Sequence, residues 1–227
     1  MRSLLAAPVA FLLLATPAAA QQTDEQLWLQ ANASVTIGAR EKITIEGIVR
    51  FSDRAEGLSH TENGLLFTHT TAGGVELSFG YRHVEDWDRN GRLPNEERTR
   101  QMILVPFGSG FTGRLRFEQR FNSSGGEIGF RLRPRLGFDT ALGIGNLHLF
   151  ATQEHFVNLN TTDWGARGGY ERMRNAVGVS IPLGGKLRGE VGYLNQYRFG
   201  RDGRRDQMDH VATFTLSFNI ARLGEGE

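Results

Sequence analysis

Apolar and polar residues alternate one by one through most of the chain. The clearest stretch runs from Glu127 to Asp139. Its even positions are Ile128, Phe130, Leu132, Pro134, Leu136 and Phe138, and its odd positions are Glu127, Gly129, Arg131, Arg133, Arg135, Gly137 and Asp139. Successive side chains of a strand face opposite ways, so this pattern predicts a strand with one apolar face and one face of charge and glycine. The preceding segment behaves alike, with Leu115, Phe117 and Phe121 opposed to Arg114, Arg116, Glu118 and Arg120. Further on, Leu187, Val191, Tyr193, Tyr197 and Phe199 alternate with Lys186, Arg188, Glu190, Gln196 and Arg198. Near the end Ala212, Phe214, Leu216, Phe218 and Ile220 alternate with Thr213, Thr215, Ser217 and Asn219. No sustained helical stripe competes with this reading.

Read through the chain, alternation and turn residues predict strands at 27–37, 42–53, 58–71, 74–87, 96–106, 112–122, 126–139, 146–158, 169–182, 186–199 and 207–220. Several reach ten residues or more, whereas globular strands centre on about 5–6. A tilted strand needs ~9–11 residues to cross a bilayer. The polar faces mix Arg, Glu and Gly, as a narrow lumen with paired charges and close-set strands requires. The predicted fold class is all-β, a transmembrane antiparallel β-barrel of 10–12 strands. Eleven segments are counted, but bacterial single-chain barrels normally have an even number, which favours ten or twelve.

The connections fall into two sets. Ala72-Gly73, Pro106 to Gly110, Thr140 to Gly145 and Pro182 to Gly185 are compact and largely uncharged. Asp88 to Asn95, Asn158 to Arg167 and Gly200 to Asp206 are polar, and the first and last carry many charges. Outer-membrane barrels keep short turns on the periplasmic side, so the polar set is expected outward. That assignment sends the first strand downward from an outer N-terminal end. Trp28, Trp87, Trp164, Tyr81, Tyr170, Tyr193 and Tyr197 lie near proposed strand ends and are expected to form aromatic girdles.

The first twenty residues do not fit the alternation. Arg2 precedes an apolar run from Leu4 to Thr16, followed by Pro17-Ala18-Ala19-Ala20. A charged start, a short apolar core and an Ala-x-Ala site predict a secretory signal over 1–20, cleaved before a barrel domain at 21–227. The run is too short to span a bilayer, and Pro8 and Pro17 interrupt it. The expected location is the outer membrane of a Gram-negative bacterium after Sec-type export.

Composition sharpens the picture in three ways. The 227 residues contain no cysteine, which excludes disulfides and cysteine-based metal or redox sites. Of 26 basic residues only Lys42 and Lys186 are lysine, so 24 are arginine. These face 25 acidic residues, and a net charge of +1 does not suggest a polybasic nucleic-acid binder. The 29 glycines are well above the usual ~7%.

A resemblance enters through several short motifs. They are Trp28-Leu29, Arg114-Leu115-Arg116-Phe117-Glu118-Gln119-Arg120-Phe121, Arg131-Leu132-Arg133-Pro134-Arg135-Leu136, Glu154-His155-Phe156-Val157-Asn158-Leu159-Asn160 and Gly192-Tyr193-Leu194-Asn195-Gln196-Tyr197. His210 then opens a final alternating strand. Their order resembles a family of uncharacterised Gram-negative outer-membrane proteins (domain of unknown function 2490). The likeness covers nearly the whole chain after residue 20. One departure is Glu171-Arg172-Met173-Arg174-Asn175, where a simpler Gln-Asn-Arg-like start would be expected. The resemblance implies an outer-membrane barrel and carries no reaction.

The candidate chemistry lies in the charged rows. Arg114, Arg116, Glu118, Arg120, Arg131, Arg133, Arg135, Glu154, Arg172, Arg174, Arg188 and Glu190 are expected to converge on a shared lumen. Arginine suits such an interior because its planar fork pairs carboxylates bidentately and stays charged. The bland outcome is a plug of ion pairs. The sharper one is a narrow, anion-preferring pore. Nine arginines against three glutamates leave the balance to other strands, water or bound anions. Outer-membrane lipid and small anions are therefore the expected partners, without nucleic acid. Protein partners are not legible.

No cofactor, metal site or catalytic residue is assigned. No Gly-x-Ser-x-Gly or His-Glu-x-x-His motif occurs, and Ser59 and His60 would point apart on a strand. A calcium-like run at Asp86, Asp88 and Asn90 lacks its closing glutamate at the right spacing. Two alternatives stay open. One is a secreted soluble β-sandwich or lipocalin-like binder, and the other a membrane-embedded lipid hydrolase that would call on His155.

Overall fold

A computed structural model describes residues 22–201 and 203–220. The signal-like segment at 1–20 lies outside the described residues. The described chain forms β1 (Gln22–Thr36), β2 (Glu41–Ser52), β3 (Gly57–Thr70), β4 (Glu76–Asp88), the two-residue β5 (Gly91–Arg92) and β6 (Glu96–Gly108). It continues with β7 (Phe111–Asn122), β8 (Ile128–Ala141), β9 (His148–Asn158), β10 (Gly169–Gly184), β11 (Leu187–Arg198) and β12 (Gln207–Ile220). β5 folds back on the tip of β4, pairing Trp87 with Arg92 and Asp88 with Gly91. The other eleven strands make one sheet, closed because β3 pairs with β4 and β1 with β12.

Eleven is the number that alternation alone counts, while the parity rule points to ten or twelve. Antiparallel neighbours reverse direction at each step, so an odd ring must contain one pair running the same way. That pair is β1 and β12, parallel from Gln22 opposite Gln207 to Val35 opposite Ile220. The first strand consequently starts at one end of the barrel, and the last finishes at the other. β1 also begins five residues earlier than alternation suggests, because Gln22 to Gln26 lack the apolar contrast that marks a strand.

The two sets of connections separate by end. Turns at 37–40, 71–75, 109–110, 142–147 and 185–186 lie at the end where β12 finishes. The 53–56 turn, the β4–β6 connection, and the 123–127, 159–168 and 199–206 segments lie at the other. Ser109 (φ 51°), Gly110 (φ 84°) and Gly185 (φ 56°) take the left-handed backbone that these tight turns need. Inside the short-turn half, Gly178 faces Gly192 across β10 and β11. A Cβ at Gly178 would come 2.5 Å from the Phe150 ring and 2.5 Å from the Val191 carbonyl. Glycine is therefore what lets the ring lie against the wall.

The barrel is inside out relative to a soluble protein. Among the described residues thirty large hydrophobics are exposed, including Ile45 at 62%, Phe79 at 56% and Leu65 at 50%. Twenty polar or charged residues are buried, with Arg100 and Glu118 each at 1%. Two stacked β-sheets are not formed, so the sandwich alternative is set aside.

Candidate functional site: an arginine-lined lumen

Strand alternation turns one face of every strand inward, and the lumen collects those faces. Four carboxylates organise the half nearer the long connections. Glu62 accepts from Arg50 at 2.9 Å and from Arg82, and bonds His60 Nε2 at 2.7 Å. Glu96 accepts from Arg120 Nε at 2.9 Å and Nη2 at 2.7 Å, and from Arg98. Glu118 accepts from Arg131 through Nε at 2.8 Å and Nη2 at 2.6 Å, and from Arg133 Nη1 at 2.8 Å. Glu154 accepts from Arg133 Nη2 at 2.8 Å and from Arg114. Arg98 links the first two carboxylates, and Arg133 links the last two. These are forked, charge-assisted bonds away from water, the strongest kind a guanidinium makes.

Aromatic rings share the same space. Phe156, 1% exposed, has the guanidinium carbons of Arg133, Arg174, Arg172 and Arg131 at 4.2, 4.6, 5.2 and 5.4 Å from its centre. Arg174 also lies 4.7 Å from the Trp28 ring, and Arg50 lies 4.0 Å from it. A ring face attracts a cation electrostatically, so Phe156 and Trp28 offer weak acceptors where carboxylates are short.

The alternation-derived residues divide as follows. Arg114, Arg116, Arg120, Arg131, Arg133, Arg135, Glu154, Arg172, Arg174 and Glu190 line one cavity of about 970 Å³. Glu118 lies buried behind it, bonded to its arginines. Arg188 sits away at the short-turn end, near Asp139 at 3.7 Å and Ser180. A bulge between Tyr170 and Arg172 brings Glu171 beside Arg172 and within 3.5 Å of Arg131. That bulge falls on the stretch where the sequence departs from its resemblance.

Alternation missed much of the wall. Glu46, Arg50, Glu62, Arg82, Glu96 and Arg98 also line the cavity. Their strands carry Ile48 and Val84 inward and polar Asn63 and Gln101 outward, which blurs the two-face contrast. The three tryptophans correct the girdle expectation. Trp28 and Trp87 line the lumen, and Trp164 lines its mouth from the 159–168 connection, its ring 4.9 Å from the Arg120 guanidinium. The tyrosines pair near the long-loop end, Tyr170 with His155 at 2.6 Å and Tyr193 with His210 at 2.6 Å.

The mouth is cationic. The cavity wall as a whole carries sixteen arginines against seven carboxylates, with Arg167, Arg201, Arg204 and Arg205 contributed by the long connections. Asp163 accepts from the Gly126 N–H at 2.9 Å, and Trp164 donates to the Glu127 carbonyl at 2.7 Å, latching two of these connections together. Asp206 ties down the last one. The Tyr197 hydroxyl and the Gly200 N–H hold its carboxyl below the usual range.

A second cavity of about 180 Å³ lies toward the short turns. It shares Glu46, Arg114, Arg116 and Arg135 with the larger one, so these four side chains form the constriction between them. Among the described residues neither the Ser59–His60 pair nor His155 assembles a nucleophilic site. His155 bonds Tyr170, while Ser59 donates to the Arg50 carbonyl rather than to His60. His60 is instead clasped by Asp86 at 2.5 Å and Glu62. Among the described residues no group of three or more His, Asp or Glu could hold a metal ion.

Comparison with known proteins adds kinship. Residues 25–208 match a family described as protein of unknown function (DUF2490). An uncharacterised protein of Methylorubrum extorquens is 40% identical over 145 residues, which are 60% of this chain and 62% of that protein. The match thus spans about three fifths of that relative. No solved structure matches.

Proposed function

This chain belongs to the family described as protein of unknown function (DUF2490), and we propose that it is an outer-membrane β-barrel of structural or transport-like role with a largely filled lumen. One observation carries the reading: exposed Ile45, Leu65 and Phe79 surround buried Arg100, Arg131 and Glu118. Water on the outside would leave that apolar surface unburied, and lipid there removes the cost. A lipocalin-like soluble barrel would need the opposite distribution. Export by the 1–20 segment and a long-loop end facing outward complete the proposal.

Fractionation tests it. The native protein should sediment with outer membranes and migrate faster on a gel unheated than boiled. Recovery as a soluble periplasmic protein without detergent defeats the proposal.

A second reading rests on the two cavities that meet at Glu46, Arg114, Arg116 and Arg135. A cationic mouth leading to an arginine constriction favours anions over cations. Planar-bilayer recordings on the refolded protein should then show small, anion-selective currents. Complete silence leaves the filled barrel alone.

A further inference from the structure

The constriction between the two cavities holds guanidinium donors with nothing to donate to. Arg135, on β8, makes no hydrogen bond and no ion pair among the described residues, and its Nε is shut off from solvent without an acceptor. Arg114, directly opposite it on β7, gives Nη2 to Glu154, but its Nε is equally buried and unpartnered. Arg116 points Nε at the Met102 sulfur at 3.1 Å and reaches Glu118 only at 3.5 Å. Two of the carboxylates nearby are committed to other arginines, Glu190 lies 3.8 Å from Arg188, and Glu76 lines the smaller cavity together with Lys42. Glu46 serves Arg82 and Arg100, and Glu154 also serves Arg133.

Buried donors without acceptors cost free energy, and unpaired charges cost more. Water can accept hydrogen bonds from these forks but cannot balance their charge. Chloride balances one charge but has no separate oxygens for several forks. A tetrahedral oxyanion does both, since its oxygens take forked bonds from more than one guanidinium. The cavity below has space: 180 Å³ is room for about six waters at ~30 Å³ each.

We propose that Arg135, Arg116 and Arg114 form a binding site for a phosphoryl-type oxyanion, reached from the cationic mouth. The inference rests on the proposed barrel only in taking that mouth as open to solution. Arg135 is the principal ligand because it makes no hydrogen bond of its own, the carboxylate of Glu154 opposite it on β9 being taken by Arg114 and Arg133. Arg114 contributes its free Nε, and Arg116 exchanges a sulfur contact for an oxygen.

The test is isothermal titration of the full, detergent-folded protein with inorganic phosphate at constant ionic strength, against chloride. Phosphate should give saturable heat and chloride none. Arg135→Gln should weaken phosphate binding at least about tenfold, the worth of one charged fork, and Arg135→Lys should fall between. Arg89→Gln, on an exposed connection, should bind as the parent does. Glycerol 3-phosphate serves as a headgroup probe. Binding of both compounds supports a site for phosphoryl groups whether free or lipid-borne, and binding of phosphate alone supports a free anion.

Two results would overturn the assignment. One is no saturable phosphate heat from a sample that keeps its heat-modifiable band. The other is an Arg135→Gln protein, folded by the same criterion, that binds phosphate undiminished. Either leaves the membrane fractionation untouched, so failure of this site and failure of the barrel proposal are read separately.

Discussion

Replacing Glu118 with glutamine will lower the unfolding free energy of the lipid-embedded barrel by about 3–5 kcal/mol, the cost of leaving buried charges uncompensated. Glu118 is 1% exposed and takes three forked contacts from Arg131 and Arg133, with Arg116 at 3.5 Å. Glutamine keeps the shape and one carbonyl acceptor but removes the charge. Three buried guanidinium groups would then share a lumen already rich in arginine. Urea titration in vesicles, followed by tryptophan fluorescence, reads the change. Arg135→Gln is the counterpart. It removes a cation that makes no hydrogen bond and faces a Glu154 already bonded to Arg114 and Arg133, so it should cost far less than the Glu118 change. A Glu118→Gln loss below about 1 kcal/mol would mean that the network does not hold the strands together.

The second large effect is on the outside. Leu216→Arg should cost about 2–4 kcal/mol if the residue sits at the bilayer midplane. Leu216 is 45% exposed and central to an outward apolar row of β12 running from Ala212 to Ile220. Its register neighbours are Ala31 on β1 and Gly189 on β11, so an arginine there finds no carboxylate beside it. In a soluble barrel the same change would stay within about 0.5 kcal/mol, as exposed substitutions usually do. The comparison therefore measures what surrounds the barrel. Vesicle unfolding of Leu216→Arg beside Thr215→Arg, which adds its charge on the lumenal side, separates lipid contact from crowding.

Legibility followed contrast. β7 and β8 could be read residue by residue because each outward position is apolar from Leu115 to Phe121 and from Ile128 to Phe138, apart from Gln119. β3, β4 and β6 are legible as strands, but their faces are not. Asn63 and Gln101 lie outward there while Leu66, Val84 and Met102 lie inward, so hydropathy points both ways. Arg82, Arg98 and Arg100, with the carboxylates Glu62 and Glu96, are illegible from alternation for that reason. The tryptophans misled by position. A ring near a strand end can face lipid or lumen, and Trp28 is drawn inward by Arg50 and Arg174.

Local order along the chain determined the strands, the two kinds of connection and the sorting of arginine from phenylalanine on the best strands, while the count of eleven was settled by closure. A two-residue period needs only neighbouring residues, so it is written in the chain itself. Only the closed barrel decided which arginine meets which glutamate and why Glu154, opposite Arg135, bonds Arg114 and Arg133 instead. It also decided that an odd ring closes through a parallel β1–β12 pair. Those facts depend on register and closure between segments as far apart as Glu46 and Arg100 or Gln22 and Gln207. Alternation assigns a side chain to a face, and register assigns it a partner.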